Sequence, residues 1–343
     1  MTLTMYVDTG RWRAHQRGLL AEFAGLVPVA KGNGYGFGNG RLAAEATRLG
    51  VPMLAVGTAA EAEAVAGGFA GDLLVLTPYR AGEPEADLPA DRVVRTVAHA
   101  EALAALPAGS RVVVECMTSM RRHGVALGEL PRLPVRHLTV EGFALHLPLD
   151  RPDGSDPVDE VAALVRAIGE AGLPTGTVYL SHLSAKDGRR LAERFPDTEF
   201  RSRIGTRLWL GEVEALTSRA SVLDVTPVVR GERYGYRQHK APSDGHLLVA
   251  TGGTAHGVGL EAPKYVHGVL PRAKGLARAG LATVNRTLSP YSWQGKQLWF
   301  AEPPHMQVSI LFLPGELKPP AIGDELSLTV RHTTTHFDRV VER

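Results

Sequence analysis

The residues with the clearest chemical potential fall in one short run, Val27-Pro28-Val29-Ala30-Lys31-Gly32-Asn33-Gly34-Tyr35-Gly36-Phe37-Gly38. An apolar stretch ends in a lysine, and a glycine-dense turn follows. A lysine facing the mouth of a barrel loses hydration, which disfavours the ammonium and moves its pKa towards the free amine that imine chemistry needs. Glycines let backbone amides come close to a phosphate, and Tyr35 adds a hydroxyl. Taken bare, the run also reads as a snorkelling strand-end lysine before a flexible loop. Arg122 offers a planar fork for a carboxylate, or else a surface charge in a basic loop. His146 closes an apolar run, where a histidine is either a site residue or a satisfied structural one.

Elements must position these groups. Up to about residue 215, short β-rich runs alternate with Ala/Glu/Arg/Leu-rich stretches, the pattern of right-handed crossovers and a parallel sheet. Strands are predicted over 26–30, 53–56, 73–76, 93–96, 111–115, 139–145, 178–181 and 199–202, and helices over 41–49, 59–66, 98–105, 157–171 and 187–194. Eight such strands spell a closed (β/α)8 barrel of TIM type, in the α/β class. An open doubly wound sheet is the alternative. Lys31, Arg122, His146, Ser184 and Gly205 fall at or just beyond C-terminal ends of these strands, where a barrel builds its site. Beyond about residue 220, Thr/Val/Leu runs broken by Gly and Pro predict a compact C-terminal β domain, with strands near 225–229, 246–250, 297–300, 307–312 and 325–329. The domains are expected at 1–218 and 219–343.

Lys and Arg total 38 against 36 for Asp and Glu, so no whole-molecule positive field exists to grip nucleic acid or an acidic membrane surface. The expected partner is a small molecule, and no metal is expected. The single cysteine, Cys116, ends the run Val112-Val113-Val114-Glu115-Cys116 and excludes an internal disulfide framework. A reducing compartment follows. The start of the chain lacks a basic segment followed by an apolar one, and no stretch reaches about 18 apolar residues. The expected location is the cytoplasm.

Lys31-Gly32-Asn33-Gly34-Tyr35-Gly36-Phe37-Gly38 resembles the K-A-D-A-Y-G-H-G signature of alanine racemases, pyridoxal-phosphate (PLP) enzymes built of a barrel and a C-terminal β domain. In that signature the lysine carries PLP as an aldimine and the tyrosine contacts its phosphate. Ala43-Ala44-Glu45-Ala46 and Leu54-Ala55-Val56-Gly57-Thr58-Ala59-Ala60-Glu61-Ala62 resemble the blocks that follow it. Thr118-Ser119-Met120-Arg121-Arg122-His123-Gly124 is similar to D-T-G-M-N-R-x-G, with Met117 where the aspartate stands, and implies that Arg122 holds the substrate carboxylate. Glu141-Gly142-Phe143-Ala144-Leu145-His146 implies His146 beside the cofactor, and Tyr179-Leu180-Ser181-His182-Leu183-Ser184-Ala185 implies phosphate contact by Ser184. Arg203-Ile204-Gly205-Thr206 resembles R-P-G-I, which implies Arg203 at the pyridine nitrogen and Gly205 and Thr206 at the phosphate.

The C-terminal part departs from the family. Gly231-Glu232-Arg233-Tyr234-Gly235 resembles the opening of the β domain, but Gly253-Thr254-Ala255-His256-Gly257 stands where the family has G-Y-A-D-G. Thr254 thus replaces the second catalytic tyrosine, and an alcohol cannot do the work of a phenol as a base. His256 is the expected substitute, while Tyr234, Tyr236 and Tyr265 are other donors. Pro304-His305-Met306-Gln307-Val308 resembles V-C-M-D-Q, which implies substrate contact by Met306, with Gln307 in place of the aspartate. Phe337 lacks the hydroxyl of the family's late tyrosine. The resemblance implies a homodimer with shared active sites that racemises a small amino acid through Lys31, and His256 is the expected second catalytic residue. One-faced PLP chemistry (decarboxylation, aldol cleavage or elimination) and a non-catalytic PLP-binding homologue are the alternatives.

Overall fold

The computed structural model describes residues 2–173, 176–260 and 287–343. Strand β1 (Leu3–Val7) and helix α1 (Thr9–Glu22) come first. Strands and helices then alternate as β2 (Val27–Ala30), α2 (Asn39–Leu49), β3 (Met53–Val56), α3 (Ala59–Ala66), β4 (Asp72–Val75), β5 (Val93–Val97), α4 (Ala100–Ala105) and β6 (Arg111–Cys116). After them run β7 (Thr139–His146), α5 (Pro157–Glu170), β8 (Thr177–Ser181), α6 (Ala185–Arg194), β9 (Glu199–Ile204) and the short α7 (Thr206–Leu210).

Strands β2 to β9 form a closed parallel barrel, with β2 pairing β9 to complete the ring. This is the expected (β/α)8 architecture, so the open-sheet alternative falls. Strands β2 and β3 read as continuous apolar runs because both of their faces are buried. Val29, Ala55, Leu74, Val94, Val113, Ala144 and Tyr179 fill the interior. Val112, Val114 and Leu145 form part of a second cluster with Leu164 and Ile168 of α5. Helix α3 is started by a capping box in which Thr58 accepts from the Glu61 amide and Glu61 answers at the Thr58 amide.

Two compact units are distinguished, Arg13–Gly211 and a second that joins the N-terminal residues up to Trp12 with Glu212–Arg343. The second contains β10 (Leu216–Val228), β11 (Arg233–Tyr234), β12 (His239–Lys240), β13 (Gly245–Thr251), β14 (Leu288–Trp293), β15 (Lys296–Phe300), β16 (Val308–Pro314), β17 (Glu325–Leu328) and β18 (Arg339–Glu342). Its eight-stranded sheet runs β13-β16-β15-β14-β17-β10-β1-β18, with β10 also pairing β13. Strand β1 is recruited from the far end of the chain, Leu3 opposite Ala220 and Thr4 beside Arg339. The core of this unit is built on Leu3, Val222, Leu248, Tyr291, Leu311 and Leu326. Among the described residues no helix is long and apolar enough to cross a membrane.

Candidate active site

Lys31 follows the last residue of β2, and its side chain is exposed. The surrounding protein nevertheless strips hydration from its amine. That desolvation, followed by the positive charges of Arg122 and Arg203, holds the ammonium below the ordinary lysine range, with Glu61 acting in the opposite direction. Glu61 also fixes the loop. Its carboxylate accepts from the amides of Gly32 at 2.7 Å and Gly57 at 2.7 Å, tying the turn after Lys31 to the start of α3. Tyr35, within that turn, has φ 55°, ψ 27° and is buried. Burial first and Glu61 second push its phenol up to about 12, so the hydroxyl remains a donor near neutral pH.

The Tyr35 hydroxyl lies over Gly205, where any Cβ would overlap Oη and stand 2.8 Å from Cζ. Glycine is required there to let the hydroxyl come that close to the backbone. Thr206 begins α7 directly after it, and the first amides of a helix have no acceptor within the helix. Arg203, one residue before the end of β9, is buried. Its Nη1 donates to Glu115 Oε2 at 3.1 Å and its Nη2 to the Leu145 carbonyl at 3.1 Å. Glu115 belongs to β6, which is not a neighbour of β9, so this ion pair crosses the barrel interior. Arg203 Nε is also buried and has no hydrogen-bond partner among the described residues.

His146, the last residue of β7, packs edge-on against His182, with ring centroids 4.9 Å apart. Desolvation, then Arg122 and Arg203, lower His146 to about 3. His182 is lowered by desolvation and then by Arg203, Lys31 and Arg122, and His123 by desolvation and then by Arg122. The mouth therefore combines fixed positive charge with imidazoles that stay neutral, an environment suited to anionic groups. Ser184 has a different employment. It caps α6, accepting from the Asp187 amide at 3.1 Å while its hydroxyl donates to the Asp187 carboxylate at 2.7 Å.

The structure thus brings Lys31, Arg122, His146 and Arg203 within one another's electrostatic reach, with Tyr35 against Gly205. His256 and Met306 belong to the other unit. His256 is buried and both ring nitrogens are engaged: Nδ1 accepts from the Gly253 amide at 3.3 Å, and Nε2 bonds Asp338 at 3.2 Å. Met306 is 70% exposed and lines a cleft of about 420 Å³ with Tyr236, Thr254, Glu302 and His305. Tyr265 lies outside the described residues.

Sequence reasoning missed the role of Glu115. The available signal was a lone carboxylate near the end of an otherwise apolar parallel strand. It also left Glu61 without a part, although Thr58-Ala59-Ala60-Glu61 carries the capping-box spacing that places that carboxylate at the loops.

Residues 8–190 match a family model described as "Alanine racemase, N-terminal domain". A comparison with curated proteins finds no match. Among solved structures, alanine racemase from Clostridium difficile 630 superposes with a TM-score of 0.68 at 16% identity, covering 100% of this chain and 96% of that one. Alanine racemase from Bartonella henselae with covalently bound pyridoxal phosphate gives 0.66 at 18%, covering 97% and 91%. Alanine racemase from Bacillus anthracis with bound L-Ala-P gives 0.69 at 19%, covering 99% and 87%. At these identities the likeness is one of fold.

Proposed function

The chain belongs to the alanine racemase family, and on that premise we propose that it is a PLP-dependent isomerase that racemises a small amino acid at Cα, with Lys31 as the cofactor lysine. One observation carries the reading: Arg203 keeps a buried Nε donor without an acceptor among the described residues, at the mouth where the Lys31 amine is held towards its free form. A pyridine nitrogen is an acceptor that suits that donor. The Tyr35 hydroxyl, brought against the Gly205 backbone beside the first amides of α7, suits a phosphate in the same way. A structural neighbour described with covalently bound pyridoxal phosphate supports the same cofactor.

In this reading Lys31, Tyr35, His146, Arg203, Gly205 and Thr206 hold the cofactor, and Ser184 contributes through the start of α6. When bound, PLP supplies an electron sink that acidifies the substrate's Cα–H bond. Lys31 Nζ takes or returns the proton at Cα from its own face. Arg122 grips the substrate carboxylate through paired N–H donors. Arg203 can only donate, so it would hold the ring nitrogen through a hydrogen bond without accepting from it. His146, neutral above about 3, can orient its neighbours by hydrogen bonding without adding charge.

Racemisation also needs a proton carrier on the opposite face. We place it in the C-terminal unit of a partner protomer, in a cytoplasmic homodimer with shared sites. Support comes from Tyr236 and Met306, 84% and 70% exposed beside Thr254 in one cleft. One-faced chemistry is the second reading, favoured by a threonine at position 254 and by a His256 with both nitrogens engaged.

Purified protein reconstituted with PLP should be yellow, and borohydride reduction should fix the pyridoxyl mass on the peptide holding Lys31. No chromophore, or a label on a different lysine, overturns the reading.

A further inference from the structure

A second, independently built acid-base group lies in the cleft beside Thr254. Glu302 is buried, and its carboxylate accepts from the Tyr236 amide at 2.9 Å and from His305 Nε2 at 2.8 Å. A carboxylate accepts, so this contact assigns the imidazole hydrogen to Nε2 and leaves the lone pair on Nδ1. Nδ1 of His305 bonds none of the described residues. The ring is held from one side by Tyr236, with centroids 4.7 Å apart and planes at 33°. Its backbone is held too: Thr254 N donates to the His305 carbonyl at 2.9 Å, Ala255 N to the Met306 carbonyl at 3.0 Å, and His305 N to Val308 at 2.9 Å. Gly253 permits this approach, since a Cβ there would overlap both carbonyl oxygens. A buried carboxylate orienting an imidazole whose other nitrogen is open is the arrangement of a positioned general base. His256, by contrast, has no free nitrogen.

We infer that His305, oriented by Glu302, is the second proton-transferring group, an assignment that rests on the racemase reading above. In one direction Lys31 Nζ removes the α-proton and becomes an ammonium. The His305 imidazolium delivers a proton from Nδ1 to the opposite face of Cα and becomes neutral. The reverse direction exchanges the two roles, and proton exchange with water resets both groups. Tyr236 supports the ring and carries no proton in this scheme, and Glu302 is a positioning residue.

The test uses holoenzyme in deuterated water with L- or D-alanine. Wild type should invert and exchange both enantiomers, whereas His305→Gln should lose inversion by about 100-fold or more and retain exchange of one enantiomer. Tyr236→Phe keeps the ring contact and loses only the hydroxyl, so inversion should persist. Glu302→Ala should lower kcat with KM unaltered, and Glu302→Asp should restore part of it. Mixing Lys31→Ala and His305→Gln protomers, each inactive in inversion, should recover about a quarter of wild-type sites when one site draws on two chains. In the apoprotein, diethyl pyrocarbonate should modify His305 and spare the buried His256, a readout independent of cofactor. Absence of a PLP chromophore in wild type removes the cofactor reading and this inference with it. A bound chromophore with inversion surviving His305→Gln, wild-type exchange without inversion, loss of inversion in Tyr236→Phe alone, or an unreactive His305 overturns the inference and leaves the cofactor reading standing.

Discussion

Replacing Glu115 by alanine removes one half of an ion pair sealed inside the barrel. Arg203 Nη1 and Glu115 Oε2 stand 3.1 Å apart, and each side chain is 4% exposed. At an effective dielectric of about 20, unit charges at that separation attract by about 5 kcal/mol. Desolvation offsets much of this in the intact pair, but removing one partner leaves the other charge buried alone, at a cost of about 3–5 kcal/mol. Among the described residues, Arg203 would retain only its bond to the Leu145 carbonyl. Each kcal/mol moves the melting temperature of a unit this size by about 2–4 °C, so Glu115→Ala should melt about 6–20 °C lower. Thermal and urea unfolding of Glu115→Ala, Arg203→Ala and the double variant would give the cycle. The double variant should be less destabilised than the sum, by about 1–3 kcal/mol, because the second change removes the stranded charge. Glu115→Ala should also weaken PLP binding in an absorbance titration, since the guanidinium loses the contact that orients it. Single losses under about 1 kcal/mol, or additivity within about 0.5 kcal/mol, would refute the claim that these two residues hold each other.

Arg122→Gln removes a positive neighbour of Lys31, so the pH midpoint for acetylation of Lys31 in the apoprotein, followed by mass spectrometry, should move up towards ordinary lysine; a downward move contradicts the stated cause. Burial, then Arg122 and Arg203, push His146 down to about 3 in the folded chain from an ordinary 6.5. Between those values the unfolded chain binds a proton that the folded one does not, so stability rises with pH through that window and falls on acidification. Urea unfolding at several pH values should show a flatter slope in His146→Asn, and an unchanged slope counts against the burial of that imidazole. Gly205→Ala should displace Tyr35 at a cost of about 1–3 kcal/mol in overpacking and weaken PLP binding more than pyridoxal binding; equal affinities for wild type and variant would show that the cradle is not used.

The alternation of strand and helix was legible along the chain because parallel strands buried on both faces must be apolar throughout, as in Val112-Val113-Val114 and Val27-Pro28-Val29-Ala30. The position of Lys31 was legible for the same reason: the apolar run stops where the strand leaves the core, and glycines follow where the backbone turns. The β domain was less so. Strand β10 begins nine residues before its expected start, at Leu216 against 225, because its first half carries buried serines such as Ser218 and Ser221 that break the apolar pattern. No local feature announces that Leu3 pairs with Ala220, that Glu115 reaches across the barrel to Arg203, or that Glu302 turns one face of His305 into a donor. Local pattern reports which face of an element meets the core, whereas a contact between distant residues depends on the path of all the chain between them. The same holds for His256: its residue type offered a base, and the tertiary neighbours Gly253 and Asp338 engaged both of its nitrogens.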